Sequence, residues 1–158
     1  MKHLMTTVSL LVVWGMQSTA LAADPSALVR RTASGSRSAS VNYYDRTGKR
    51  LGSSRTIGNR TTYYDRSGRV SGVRRGNQRR TTFVDRNGRI LERSRTSGNR
   101  TLYYDRTGRS TGYSRVQAKR TTFYDRSGRR VGSSRTSGGR TTFFDRSGKI
   151  TVRSDRHK

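Results

Sequence analysis

The chain has 158 residues, and its thirty-five Lys and Arg against nine Asp and Glu give a formal net charge of +26. It contains no cysteine, which excludes disulfides and thiolate metal sites. A field of this sign repels cationic partners and captures polyanions rapidly at low salt. Thirty of the basic residues are Arg, whose planar fork grips phosphate or carboxylate through two parallel hydrogen bonds. Past residue 22, Leu, Ile, Val and Phe make up only 19 of 136 residues. With this charge that is a composition of disordered chains, so any folded state must draw its order from elsewhere in the pattern.

Residues 1–22 read as a targeting segment. Lys2 and His3 precede an apolar run from Val8 to Met16, and Ala20-Leu21-Ala22 follows. These are the three parts of a Sec signal peptide with an A-x-A cleavage site, which predicts a cut after Ala22 and a secreted or periplasmic protein. The run is shorter than the roughly 20 residues a membrane-spanning helix needs. Residues 23–40 read as a linker with a degenerate half-repeat.

From residue 41 the sequence repeats every 20 residues without insertion or deletion, giving six copies at 41–60, 61–80, 81–100, 101–120, 121–140 and 141–158. Asp45, Asp65, Asp85, Asp105, Asp125 and Asp145 are each followed by Arg, and Gly48, Gly68, Gly88, Gly108, Gly128 and Gly148 lie three residues further on. Asp at the first position and Gly at the fourth predict a type I turn followed by a left-handed bulge residue. The Asp caps the turn by accepting nearby backbone N–H groups, and that is the role assigned to all six. A second turn signal, T-x-G-[NG]-R, recurs at Thr56–Arg60, Thr96–Arg100 and Thr136–Arg140. Between turns lie short runs rich in Thr, Tyr, Phe and Val, which is strand composition and strand length. The only proline, Pro25, falls outside the array.

The pattern therefore predicts an all-β chain of tandem β-hairpins, about twelve antiparallel strands. The expected form is a single-layer meander or a wound β-solenoid, with a closed β-structure as the third possibility. Alternation places two aromatic columns on opposite faces. One is Tyr43, Tyr63, Phe83, Tyr103, Phe123 and Phe143; the other is Tyr44, Tyr64, Val84, Tyr104, Tyr124 and Phe144. In the hairpin closed by Asp65–Gly68, Tyr64 is expected to face Val70 and Tyr63 to face Ser71, with Leu51, Leu91 and Val131 filling between rings. In a single layer the first and sixth copies would lie roughly 50 Å apart.

The stretches Thr61–Arg69 and Tyr103–Arg109 resemble the YD repeats of RHS-type proteins, whose core is Tyr-Asp-x-x-Gly-Arg in units of about this length. The resemblance covers residues 41–149, with flanks here richer in Arg, and implies β-hairpins that coil. A weaker similarity is to the 20-residue cell-wall (choline) binding hairpins. Those rely on Trp, and the sole Trp here is Trp14 in the leader.

Catalysis finds no foothold. His157 is the only His past the leader, so no Ser-His-Asp arrangement is expected, and Glu92 stands alone. The Asp column suits turn capping better than calcium, which needs several convergent oxygens. No catalytic residue, metal or cofactor is assigned. The functional candidates are three Arg columns. Arg46, Arg66, Arg86, Arg106, Arg126 and Arg146 lie in the turn; Arg55, Arg75, Arg95, Arg115 and Arg135 end the second strand; Arg60, Arg80, Arg100, Arg120 and Arg140 precede the first. Rows of this kind suit an anionic polymer: lipopolysaccharide, acidic polysaccharide, extracellular DNA or another nucleic acid, or an anionic membrane surface. Some of these Arg are expected to pair with the local Asp. The competing readings are a structural or adhesive surface protein and an exported nucleic-acid-binding effector.

Overall fold

The computed structural model describes residues 38–157; the predicted leader and nearly all of the linker lie outside them. Every Thr-aromatic run is a strand. In chain order they are β1 (Ala39–Asp45), β2 (Arg50–Ile57), β3 (Arg60–Asp65), β4 (Val70–Gly76), β5 (Arg80–Asp85), β6 (Ile90–Ser97), β7 (Arg100–Asp105), β8 (Ser110–Gln117), β9 (Arg120–Asp125), β10 (Arg130–Ser137), β11 (Arg140–Asp145) and β12 (Ile150–His157). β-branched and aromatic side chains suit a pleated, half-buried surface, and the two turns of each repeat set the strand length.

Each strand pairs antiparallel with the next, and β1 pairs with β12, closing a twelve-stranded barrel. The expectation of an open meander or solenoid is thereby corrected. The reason is the uniformity of the repeat. Each hairpin carries the ladder two residues along the strand, as from Arg60 to Arg75 to Thr82. Twist and stagger of one hand, repeated identically, bend the sheet evenly until its ends meet. Ser40–Asp45 then pair with His157–Val152, so the first and sixth copies are neighbours, not the ends of a long array. Closure leaves no strand edge to template aggregation.

The register differs from the simple hairpin in one respect. Tyr64 does stand opposite Val70, but Tyr63 stands opposite Gly72 rather than Ser71, because a bulge interrupts the ladder beside the turn. The same shift occurs at Tyr43/Tyr44, Phe83/Val84 and Tyr103/Tyr104. A type I turn with a left-handed fourth residue adds the extra residue; Gly68 takes it at φ 81°. Leu51 and Leu91, expected between the rings, sit in these bulges and are 37% and 38% exposed.

The barrel interior receives the first aromatic column. Tyr43, Tyr63, Tyr103, Phe123 and Phe143 are buried, with Phe83 half-buried. Hydroxyl residues lie beside them. Tyr43 and Ser54 hydroxyls are 2.9 Å apart, as are those of Tyr103 and Ser114. Thr56 and Thr61 tie successive hairpins at 3.0 Å, and Thr136 and Thr141 do the same. Glycine faces the interior where the walls crowd: a Cβ on Gly112 would stand 2.3 Å from the Tyr124 carbonyl oxygen. The second aromatic column lies on the outer wall, half-buried.

Candidate functional site

At one mouth of the barrel lie the six Asp-x-x-Gly turns. The Asp45 carboxylate accepts three hydrogen bonds through Oδ1: from the Thr47 hydroxyl at 2.6 Å, the Thr47 N–H at 2.8 Å and the Lys49 N–H at 2.9 Å. Asp65, Asp105, Asp125 and Asp145 repeat the arrangement with Ser67, Thr107, Ser127 and Ser147. Asp85 meets Asn87 instead, and accepts only from the two backbone N–H groups. The hydroxyl bond is the main reason these five carboxyls are held below the ordinary range.

These carboxylates are thus turned into their own turns and not toward the neighbouring guanidinium groups. Among the described residues one salt bridge forms, Arg140 to Asp155 at 2.7 Å. The expected pairing of turn Arg with turn Asp does not occur. Arg46, Arg66, Arg86, Arg106, Arg126 and Arg146 are exposed, as are Lys49, Arg69, Arg89, Arg109, Arg129 and Lys149 two residues past each glycine position's predecessor. This mouth is ringed by cations.

The other two Arg columns share the outer wall. Both are exposed along their length, and the register sets them face to face: Arg60 opposite Arg75, Arg80 opposite Arg95, Arg100 opposite Arg115 and Arg120 opposite Arg135. The first and last hairpins differ, with Ser40 opposite Arg55 and Asp155 opposite Arg140. Like charges directly opposed across a ladder are destabilising. Because the ladder is staggered, each pair starts a slanting row that descends toward the turns. One runs Arg60, Arg75, Thr82, Arg93, Tyr104, Ser110. Another runs Arg80, Arg95, Leu102, Tyr113, Tyr124, Arg130. The outward aromatics Tyr44, Tyr64, Tyr104, Tyr124 and Phe144 occupy the lower part of these rows.

Three chemically distinctive residues escape a reading of the repeat as a consensus. Two point into the barrel. Arg74 stands where the other copies carry Ser54, Ser94, Ser114, Ser134 and Ser154, and Glu92 stands where four carry Gly52, Gly72, Gly112 and Gly132. They lie in one interior row, two strands apart with Phe83 between them. Burial pushes the Glu92 carboxyl up to about 7, although part of its surface stays accessible. With Arg74 in the serine position, the Tyr63 hydroxyl is buried without a well-formed hydrogen bond; Thr61 offers it only a weak contact. Burial raises Tyr63 well above the usual phenol value, and Tyr43 to about 12. The third residue is Tyr113 on the outer wall. The signal for all three was departure from the repeat, which a consensus averages away.

Among the described residues no three His, Cys, Asp or Glu side chains converge as a metal site would require, and no helix is long and apolar enough to cross a membrane. The fold and surface define a closed antiparallel barrel with an arginine-studded outer wall. No protein-family model matches the chain, and no curated protein does. Among solved structures, the chain is similar to an X-ray structure of a protein from Arabidopsis thaliana at TM-score 0.50 and 11% identity, over 75% of this chain and 80% of that one. At that identity the likeness speaks for the fold alone.

Proposed function

We propose that this protein is a non-enzymatic, secreted or periplasmic binder of anionic polymers, which it engages through the Arg rows of the outer wall and the cationic mouth. The observation that carries the reading is the set of four opposed Arg pairs with no carboxylate partner among the described residues. A surface selected only for solubility has no need to oppose like charges at a cost in stability. A phosphate or carboxylate bridging each pair reverses the sign of that cost.

The outer wall also argues against a lipid-facing barrel. Such barrels carry an apolar band outside and polar groups within, whereas here exposed Arg stud the wall among half-buried outer aromatics and the first aromatic column fills the interior. The adhesive alternative by edge-to-edge strand pairing loses support, because a closed ladder offers no edge.

The test is a salt titration of binding to heparin, lipopolysaccharide and DNA. Affinity is expected to fall linearly on a log–log plot as salt rises, since condensed counterions are released on binding. Retention indifferent to salt, or no binding at low salt, removes the reading.

A further inference from the structure

The outer wall departs from its repeat at one aromatic position. The third outward residue of each second strand is Ser53, Val73, Arg93, Ser133 or Arg153, but in the fourth hairpin it is Tyr113. Its ring stacks on Tyr124 of the adjacent strand, centroids 4.7 Å apart and planes inclined by 15°. The Arg100 guanidinium lies 4.3 Å from the centroid of Tyr113, and that of Arg115 lies 5.8 Å away. Guanidinium, phenol and phenol thus form a ladder of planar groups on the outside of the protein. Among the described residues no other ring or guanidinium group covers Tyr124. Arg130, its partner across β9 and β10, donates instead to the Ser133 hydroxyl at 3.3 Å.

We infer that this ladder is a base-stacking platform, and that the anionic polymer it selects is single-stranded nucleic acid. The inference rests on the polyanion reading above and narrows its ligand. A stack of planar groups at this spacing is continued by another planar group, and every nucleobase supplies one. A pyranose ring packs on a phenol through its C–H bonds, but it is puckered and matches a stack of flat groups less closely than a base does. Arg100, Arg115 and Arg130 are exposed around the stack, where they reach backbone phosphates with paired N–H donors. Base identity goes unread, because the platform offers ring faces and charges rather than donors matched to a base edge.

The test compares a single-stranded oligothymidylate with an abasic oligomer of equal phosphate count, using the purified protein at fixed salt. Oligothymidylate is expected to bind at least about fivefold more tightly, the lower end of what one stacked base contributes. Tyr113→Ser, which installs the residue that the first and fifth hairpins carry as Ser53 and Ser133, is expected to lower that ratio. It should leave affinity for the abasic oligomer and its salt dependence unchanged. Tyr113→Leu, which keeps an apolar body under Arg100, should behave like Tyr113→Ser if stacking is the cause; a ratio preserved in both variants overturns the inference. Equal affinity of the native protein for the two oligomers also overturns it and leaves the polyanion reading standing. So does tighter binding of heparin than of oligothymidylate at equal charge. Failure of every oligomer and of heparin to bind at low salt overturns the polyanion reading itself.

Discussion

Arg140 and Asp155 face each other across β11 and β12, joined at 2.7 Å, in the place where four other hairpins oppose arginine to arginine. The sixth hairpin is therefore the one in which the outer pair is internally neutralised. Both side chains are substantially exposed, so the pair contributes little to stability.

Asp155→Arg should consequently restore the pattern of the other hairpins at small cost. Thermal unfolding is expected to shift by no more than a few degrees. The slope of log affinity for DNA against log salt should steepen by about one unit for each phosphate newly engaged. An unchanged slope would mean that the opposed Arg pairs are not where the polymer lies.

Two substitutions involving a single methyl group should act in opposite directions. At Gly112 a Cβ would lie 2.3 Å from the Tyr124 carbonyl oxygen, so Gly112→Ala forces the wall apart and is expected to cost about 1–3 kcal/mol. At the second turn of the fourth hairpin, Ala118 holds φ 52° where Gly58, Gly98 and Gly138 hold 54°, 55° and 57°. A left-handed conformation costs a residue with a Cβ about 1–2 kcal/mol. Ala118→Gly is therefore expected to stabilise the barrel by up to about 1 kcal/mol after the extra unfolded-state freedom of glycine is subtracted. Chemical denaturation of the two variants checks both signs.

Strand count, strand type, turn positions and the opposition of Tyr63 to Tyr64 were legible from the period and the placement of Asp, Gly and aromatics. Closure was not. It depends on the two-residue advance of the ladder per hairpin, as from Arg60 to Thr82, and stagger is a property of pairing, not of composition. The Arg columns were legible as columns, but their face-to-face opposition follows from register across the second turn, as at Arg60 and Arg75. The left-handed bulge residue was legible in the Asp-x-x-Gly signal, but the shift it imposes, which sets Tyr63 opposite Gly72 and exposes Leu51, follows from register. Arg74, Glu92 and Tyr113 were visible as letters, yet their chemistry depends on which side of the wall they face.

Glu92 supplies a pH dependence. Its interior position faces Phe83 on β5, with Tyr103 and Asp105 on β7, and burial lifts its carboxyl from an ordinary 4.5 to about 7. The sign follows from linkage. Below about 4.5 the carboxyl is protonated in both folded and unfolded chains, and Glu92 adds no pH dependence. Between that value and about 7 the unfolded chain releases the proton while the folded one keeps it, so stability falls as pH rises. Above about 7 the destabilisation is complete, a few kcal/mol at most given that the side chain keeps some contact with solvent. Glu92→Gln keeps the shape and removes the proton. It is expected to match the native protein near pH 4, to be the more stable of the two at pH 8, and to flatten the stability profile between them. Parallel profiles for the two proteins across that range would show that the Glu92 carboxylate is already accommodated in the folded wall.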